Sequence, residues 1–197
     1  MLLALAVLVA SGWADGALAR LRFTVWEALA WIAAFAFGSF ANIPVTGAGA
    51  DWVVNVGGAV MPLLLALFLY ARAGSAAERA RVALAPLAGG AAAWVAARVL
   101  PLGPYGGPGA APLVLAAAAA LAAAAFGRST AAALAGGAAG VVVAGFLDTA
   151  ELAVLGIPAR VWLGGGGAFD AAVLGGVVAL LLTEAAGLPL RRAPRRS

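Results

Sequence analysis

Residues 131–186 read AAALAGGAAGVVVAGFLDTAELAVLGIPARVWLGGGGAFDAAVLGGVVALLLTEAA, and this almost uninterrupted apolar stretch decides the fold. Its charged residues are Asp148, Glu151, Arg160, Asp170 and Glu184. Pro158 predicts a hairpin centred near Ala159, and Asp148 and Asp170 each lie 11 residues from that centre. If the two arms are antiparallel helices, both carboxylates lie about 16 Å from the turn. Ionisable groups at such depth are costly, so these two aspartates predict a buried functional site.

The composition of the whole chain indicates a membrane protein with several transmembrane segments. Hydrophobic residues make up 65% of the chain, charged residues only 10%, and the mean hydropathy is +1.06. The absence of cysteine excludes disulfides and thiolate metal sites, and the absence of histidine removes the commonest metal ligand and general base. We therefore expect no metal and no cofactor. The net charge of +4 is spread over short loops, which favours membrane topology over nucleic-acid binding, and the lipid bilayer is the expected partner.

The apolar residues divide the chain into transmembrane segments. Seven segments are predicted, at about 2–18, 23–41, 53–71, 82–100, 112–127, 131–155 and 161–186. Roughly 20 apolar residues cross the hydrocarbon core, so the first and fifth segments are short. The expected fold class is all-α: a polytopic transmembrane bundle of about seven helices forming one domain over 1–190, followed by a basic cytoplasmic tail at 191–197.

The positions of the arginines predict the orientation of this bundle. With seven crossings, ten of the 12 arginines share one side: Arg20, Arg22, Arg72, Arg79, Arg81, Arg128, Arg191, Arg192, Arg195 and Arg196. Arg98 and Arg160 remain on the other side. The positive-inside rule then predicts a cell-membrane protein with its N-terminus outside and its C-terminus in the cytoplasm. The proline- and glycine-rich loops fall on the outer side, where they predict a polar vestibule.

Glycine runs occur in two kinds of place. Gly136-Gly137 and Gly175-Gly176 predict close helix packing, because small residues are enriched where membrane helices touch. The run from Gly164 to Gly167 instead predicts a break before Asp170, since four consecutive glycines form helix poorly. The backbone groups of Gly165, Gly166 and Gly167 are therefore candidate ligand-binding groups. Asn55 is placed to hydrogen-bond between helices, either as structural support or as part of the site.

Several sequence blocks resemble an uncharacterised prokaryotic membrane-protein family, a domain of unknown function. The similar blocks are Gly38-Ser39-Phe40-Ala41-Asn42-Ile43-Pro44, Asn55-Val56-Gly57-Gly58-Ala59-Val60-Met61-Pro62, and Gly164 to Asp170. They extend over most of the chain after residue 20. This resemblance implies a polytopic membrane protein and supplies no activity.

A more distant similarity concerns the arrangement of the two aspartates. Presenilin-like intramembrane aspartyl proteases have two aspartates on adjacent antiparallel helices, the second after a glycine-rich turn. Gly166-Gly167-Ala168-Phe169-Asp170 is similar to their Gly-x-Gly-Asp element, with one inserted residue. The resemblance implies that Asp148 and Asp170 would be the catalytic pair, one as base for water and the other as acid.

Three functions remain open at this point. The first is binding or translocation of an ion, proton or small solute by Asn55, Asp148, Glu151, Asp170 and the three glycines at 165–167. The second is intramembrane proteolysis by Asp148 and Asp170. The third is a structural role in which the acids pair with Arg98 and Arg160. The sequence does not decide whether the protein is an enzyme, and it does not determine the oligomeric state.

Overall fold

A computed structural model describes residues 2–12, 14–47, 50–100, 110–127, 129–157, 161–164 and 171–185. These residues form eight α-helices and one small sheet, and the chain is mostly helical. The helices are α1 (Leu2–Ala10), α2 (Asp15–Leu21), α3 (Val25–Gly38), α4 (Met61–Arg72), α5 (Ala76–Val99), α6 (Ala110–Gly127), α7 (Thr130–Val154) and α8 (Ala171–Ala185). A π-helical turn, Val56–Val60, leads directly into α4.

Two of these helices are long and apolar enough to cross a bilayer, which supports a membrane protein. They are α5, with 24 residues, and α7, with 25. Helices α1 and α2 meet at 92° and would add a third span if the bent pair counts as one. The other described helices are α3, α4, α6 and α8, and α3 has only 14 residues, about 21 Å of rise. The structure thus supports a helical membrane protein, and the seven-crossing bundle stays a prediction.

Helix α7 is the centre of the bundle, and glycine allows its neighbours to approach. It packs against α4, α5, α6 and α8. A Cβ added to Gly137 would lie 2.2 Å from the carbonyl oxygen of Gly175, and one on Gly89 would lie 2.6 Å from the carbonyl oxygen of Gly136. Backbones that close have no room for a side chain between them. The predicted packing role of these glycines and the predicted contact between the last two long helices are therefore confirmed.

The prediction of a purely helical chain is wrong in two loops, which form a three-stranded sheet. Its strands are β1 (Asn42–Gly47), β2 (Ala50–Asn55) and β3 (Val161–Leu163), in the order β1-β2-β3. Strands β1 and β2 pair antiparallel, and β2 and β3 pair parallel. The predicted segments at 53–71 and 161–186 therefore begin as strands. Their first residues are β-branched or aromatic, which favours the pleated conformation over a helix start.

The sheet lies against the end of α7. Leu163 on β3 and Ala59 on the π-helical turn are buried together with Val142 on α7. Gly145 leaves room for β3 to pack against α7, because a Cβ at this position would lie 2.8 Å from the Leu163 side chain. The ring of Trp52 lies 6.1 Å from that of Phe146, measured between centroids. The sheet thus packs against α7 at Val142, Gly145 and Phe146, directly before Asp148.

Candidate functional site

The candidate site lies at the end of the packed interface between α5 and α7. Ala93 on α5 is buried against Ala144 of α7, and Trp94 and Val141 pack beside them. Residues three or four apart share one face of a helix, so the face that includes Ala144 continues to Asp148 and, one turn later, to Glu151. Small residues bring the two helices together, and the same surface ends in two carboxylates.

Arg98, near the end of α5, contacts both of these carboxylates. Its Nη2 donates to Oδ1 of Asp148 at 3.0 Å and forms an ion pair with Oε2 of Glu151. Its Nη1 donates to the carbonyl oxygen of Trp94 at 2.9 Å. One guanidinium therefore faces two acids, and the three side chains have a formal net charge of −1.

The indole ring of Trp94 lies against the guanidinium of Arg98. The Cζ atom of Arg98 lies 3.8 Å from the centroid of the indole ring, within the range of a cation–π interaction. The indole Nε1 of Trp94 is buried and has no hydrogen-bond partner among the described residues. A buried unpaired donor costs free energy, so a donor of this kind next to charged groups is a candidate contact for a bound molecule.

The described acids of the site are half exposed, contrary to the predicted buried site. The side chain of Asp148 is 51% exposed and that of Glu151 is 39% exposed. The reason is that α7 ends at Val154, so Asp148 lies only six residues, about 9 Å, from the helix end. The helix arms assumed for the depth estimate are shorter than predicted, because β3 occupies the start of the second arm. The carboxylates consequently lie at the rim of the bundle.

Asp170 and the glycines Gly165, Gly166 and Gly167 lie outside the described residues. The backbone on either side of them is described. Gly164 has a φ of +68°, which favours glycine, and a Cβ there would lie 2.3 Å from the carbonyl carbon of Gly58. Helix α8 begins at Ala171, directly after Asp170. The roles of Asp170 and the three glycines stay predictions.

Asn55 has a structural role in the described part of the chain. It is 2% exposed, and its Oδ1 accepts from the backbone N–H of Gly58 at 2.8 Å, which caps the π-helical turn. Its Nδ2 donates to the carbonyl oxygen of Ser39 at 2.9 Å and to Oδ1 of Asn42 at 3.0 Å. Both amide N–H groups are therefore used within the protein. The ligand-binding role of Asn55 stays a prediction beside this structural one.

Sequence reasoning undervalued two residues of this site. Arg98 was considered as a partner of the acids only under the structural hypothesis, and Trp94 was not assigned to the site. The available signal was the four-residue spacing of the two on one predicted helix, which puts them on the same face. Their contact with Asp148, 50 residues away, required the fold.

Residues 24–182 match a family described as "Protein of unknown function (DUF1614)", and the chain belongs to this family. The resemblance to an uncharacterised family is thereby confirmed. No curated protein and no solved structure matches the chain.

Proposed function

We propose that this protein is an integral membrane protein that binds, or moves across the bilayer, a cation, a proton or a small solute. The proposed binding groups are the carboxylates of Asp148 and Glu151, joined by that of Asp170, which precedes α8 in the sequence. The observation that supports this most is the unequal pairing at the end of α7, where two carboxylates share one guanidinium. The excess negative charge suits a positively charged ligand.

We call Arg98, Asp148 and Glu151 the acidic triad. The partial exposure of these side chains supports a binding site more than a set of ion pairs that only stabilises the fold. Ion pairs that are a third or more exposed contribute little to stability, typically about 0–1 kcal/mol. Arg98, Asp148 and Glu151 all fall in that class. A cation that reaches the rim can replace the guanidinium at low cost, and the ring of Trp94 then holds the displaced arginine close by.

The surroundings of Asp148 favour binding over the aspartyl-protease alternative. A catalytic aspartate pair shares one proton between two neighbouring carboxyl groups. Among the described side chains, the charged partner of Asp148 is the guanidinium of Arg98. That arrangement is typical of a charge-paired binding group, so we place proteolysis second.

We propose that the triad faces the extracytoplasmic side and that the arginine tail is cytoplasmic. The distribution of arginines supports this orientation through the positive-inside rule. Reporter fusions at Tyr105 and at Ser197 test it. Opposite reporter signals, with Ser197 inside, are expected. Equal signals would contradict the seven-crossing topology.

A flux assay in proteoliposomes tests the binding function. Vesicles with an internal dye for H⁺, Na⁺ or K⁺ are given the matching gradient in turn, and a radiolabelled small amine is followed by its uptake. We expect one gradient to drive flux above that of empty vesicles. Asp148→Asn combined with Glu151→Gln should raise the ligand concentration for half-maximal flux at least about tenfold, the equivalent of about 1.4 kcal/mol of ligand binding.

Glu27→Gln is the matched control, because Glu27 also forms a partly exposed carboxylate–arginine pair, with Arg72, but near the start of α3. It should retain this half-saturating concentration within about twofold of the wild type, a change below about 0.5 kcal/mol. Flux that is equal to that of empty vesicles would overturn translocation, and absence of saturable ligand binding to the purified protein as well would overturn the whole proposal. Effects that are equal in both variants would overturn the assignment of the site. Cleavage of a reconstituted transmembrane peptide that stops in Asp148→Asn would favour the protease instead.

A further inference from the structure

An apolar cavity lies between the bent helix pair α1–α2 and the bundle, away from the acidic triad. Its volume is about 130 Å³ and its wall is almost entirely apolar. Side chains from six helices line it, among them Leu5, Leu18, Trp31, Leu65 and Val177. A dry cavity of about 150 Å³ holds a benzene molecule, so this one accepts a short stretch of hydrocarbon chain.

One side of the cavity is next to a cluster of arginines. Leu21 and Phe23 line the cavity, and Arg22 lies between them in the chain. The Cζ atom of Arg72 lies 6.0 Å from the centroid of the Phe23 ring. Arg20 is located one residue before Leu21, at the end of α2. Arg22 and Arg72 are therefore next to residues that line an apolar space, Arg22 along the chain and Arg72 through its proximity to the Phe23 ring.

The conformation of Arg22 holds its guanidinium at this place. Arg22 has a φ of +58°, a left-handed conformation at the C-terminus of α2 that glycine usually occupies. Its Nη1 donates to the carbonyl oxygen of Arg72 at 3.1 Å. Gly74 leaves space for it, since a Cβ there would lie 2.6 Å from Nη2. The guanidinium of Arg22 is therefore held beside the end of α4, next to Arg72.

Positive charges outnumber negative charges at the edge of the cavity formed by Leu21 and Phe23. The carboxylate of Glu27 accepts from Arg72 at 2.8 Å and from the backbone N–H of Thr24 at 2.7 Å. A second acid, Glu78, accepts from the backbone N–H of Gly74 at 2.8 Å, beside Arg22. The two segments that meet here, 20–27 and 72–81, contain five arginines and two acids, which gives a formal net charge of +3. Phosphate oxygens are good partners for guanidinium groups.

We infer that this cavity binds one acyl chain of an anionic phospholipid whose phosphate contacts Arg22 and Arg72. A bilayer supplies such a molecule at high local concentration, and the apolar wall and the positive edge match its two parts. A basic residue near an anionic lipid surface contributes about fivefold in affinity. Because Arg72 is already paired with Glu27, we expect a total preference for anionic over zwitterionic lipid of about fivefold.

The fluorescence of Trp31 reports directly on what occupies the cavity, because Trp31 lines it. Trp26, on the same helix, is 81% exposed and serves as the comparison. Two single-tryptophan variants, one with Trp31 and one with Trp26, are placed in nanodiscs. The nanodiscs contain increasing fractions of phosphatidylglycerol or phosphatidylcholine with brominated acyl chains, which quench tryptophan on contact. Quenching of Trp31 should reach half its maximum at about a fivefold lower fraction of phosphatidylglycerol than of phosphatidylcholine. Trp26 should follow the lipid fraction without headgroup preference.

Two further variants separate the headgroup from the chain. Arg22→Gln with Arg72→Gln should abolish the preference at Trp31 while quenching persists. Val177→Phe fills the cavity and should reduce the quenching of Trp31 by both lipids, whereas Leu181→Phe, at a position 61% exposed, should leave it unchanged. Equal behaviour of Trp31 and Trp26 would mean ordinary surrounding lipid. No quenching of Trp31 would mean that no lipid chain enters. Either result overturns the inference.

Discussion

Replacing Asn55 tests how the sheet is joined to the helices. Asn55→Ala removes the cap of the π-helical turn, which typically costs about 1 kcal/mol. It also leaves the carbonyl oxygen of Ser39 without its amide donor in a partly buried place, at a further cost of about 1 kcal/mol. Asn42 is exposed, so the loss of its bond adds little. The free energy of unfolding should therefore fall by about 2 kcal/mol, measured by steric trapping in bicelles.

Asn55→Asp separates the two roles of this side chain. Aspartate caps a helix as well as asparagine does, so a residue that served only as a cap would tolerate the change. Here the second carboxylate oxygen would face the oxygens of Ser39 and Asn42, where the native residue donates. We expect a loss at least as large as for alanine. Asn42→Ala is the control, at below about 1 kcal/mol. An Asn55→Asp protein within about 0.5 kcal/mol of the wild type would refute the reasoning.

Three more predictions concern packing, charge and the sheet. Gly137→Ala should separate α7 from α8 and lower the free energy of unfolding by more than about 2 kcal/mol in the same assay, roughly the scale of an overpacked core. Gly16→Ala is the control: it has open space around it and should change stability by less than about 1 kcal/mol. Equal effects of the two substitutions would contradict the close contact. Arg98→Gln should cost no more than about 1 kcal/mol, since its ion pairs are partly exposed; a larger loss would indicate a structural clamp. Backbone amides of the central strand near Val53 should exchange with deuterium more slowly than those of the edge strand near Val45, and the reverse order would contradict the strand order.

The helical parts of the fold could be predicted because their signals are local. Composition identified the membrane class, and the glycine pairs identified the contact between α7 and α8. At Gly137 and Gly175, two backbones come so close that only glycine fits, and this requirement is visible in the sequence. Small residues at matching positions of two apolar segments are typical of helices in close contact.

The sheet was missed because a short apolar strand and the start of an apolar helix look alike. Periodicity cannot distinguish them over four to eight residues. The usable signal was the run of Val and Trp from Trp52 to Val54, preceded by Pro44 and a glycine-containing turn, which is typical of a hairpin. The third strand, Val161–Leu163, has only three residues and pairs with β2 across more than 100 positions of sequence. Such a pairing has no local signal.

The candidate site combines a predictable part and an unpredictable part. Asp148 and Glu151, three residues apart on one helix, could be placed on a common face from sequence alone. Their partner could not, because Arg98 and Arg160 were equal candidates before the fold placed α5 beside α7. The predicted burial is wrong for Asp148, which is 51% exposed, and stays a prediction for Asp170. Depth was counted from a turn at Ala159, whereas α7 ends at Val154.

The charges at the two ends of α5 connect the two proposals. At its end, the triad with Arg98 has a net charge of −1, and around its start the segments 20–27 and 72–81 have five arginines and two acids, a net charge of +3. The helix between them has 24 residues, about 36 Å, which is enough to separate two membrane surfaces. An anionic lipid at the basic end and a cation at the acidic end are therefore attracted by opposite excesses at opposite surfaces. If the orientation is as proposed, Arg22→Gln with Arg72→Gln should change lipid preference without changing flux, and Asp148→Asn with Glu151→Gln should do the reverse. Coupled losses in both variants would mean that the two sites are not independent.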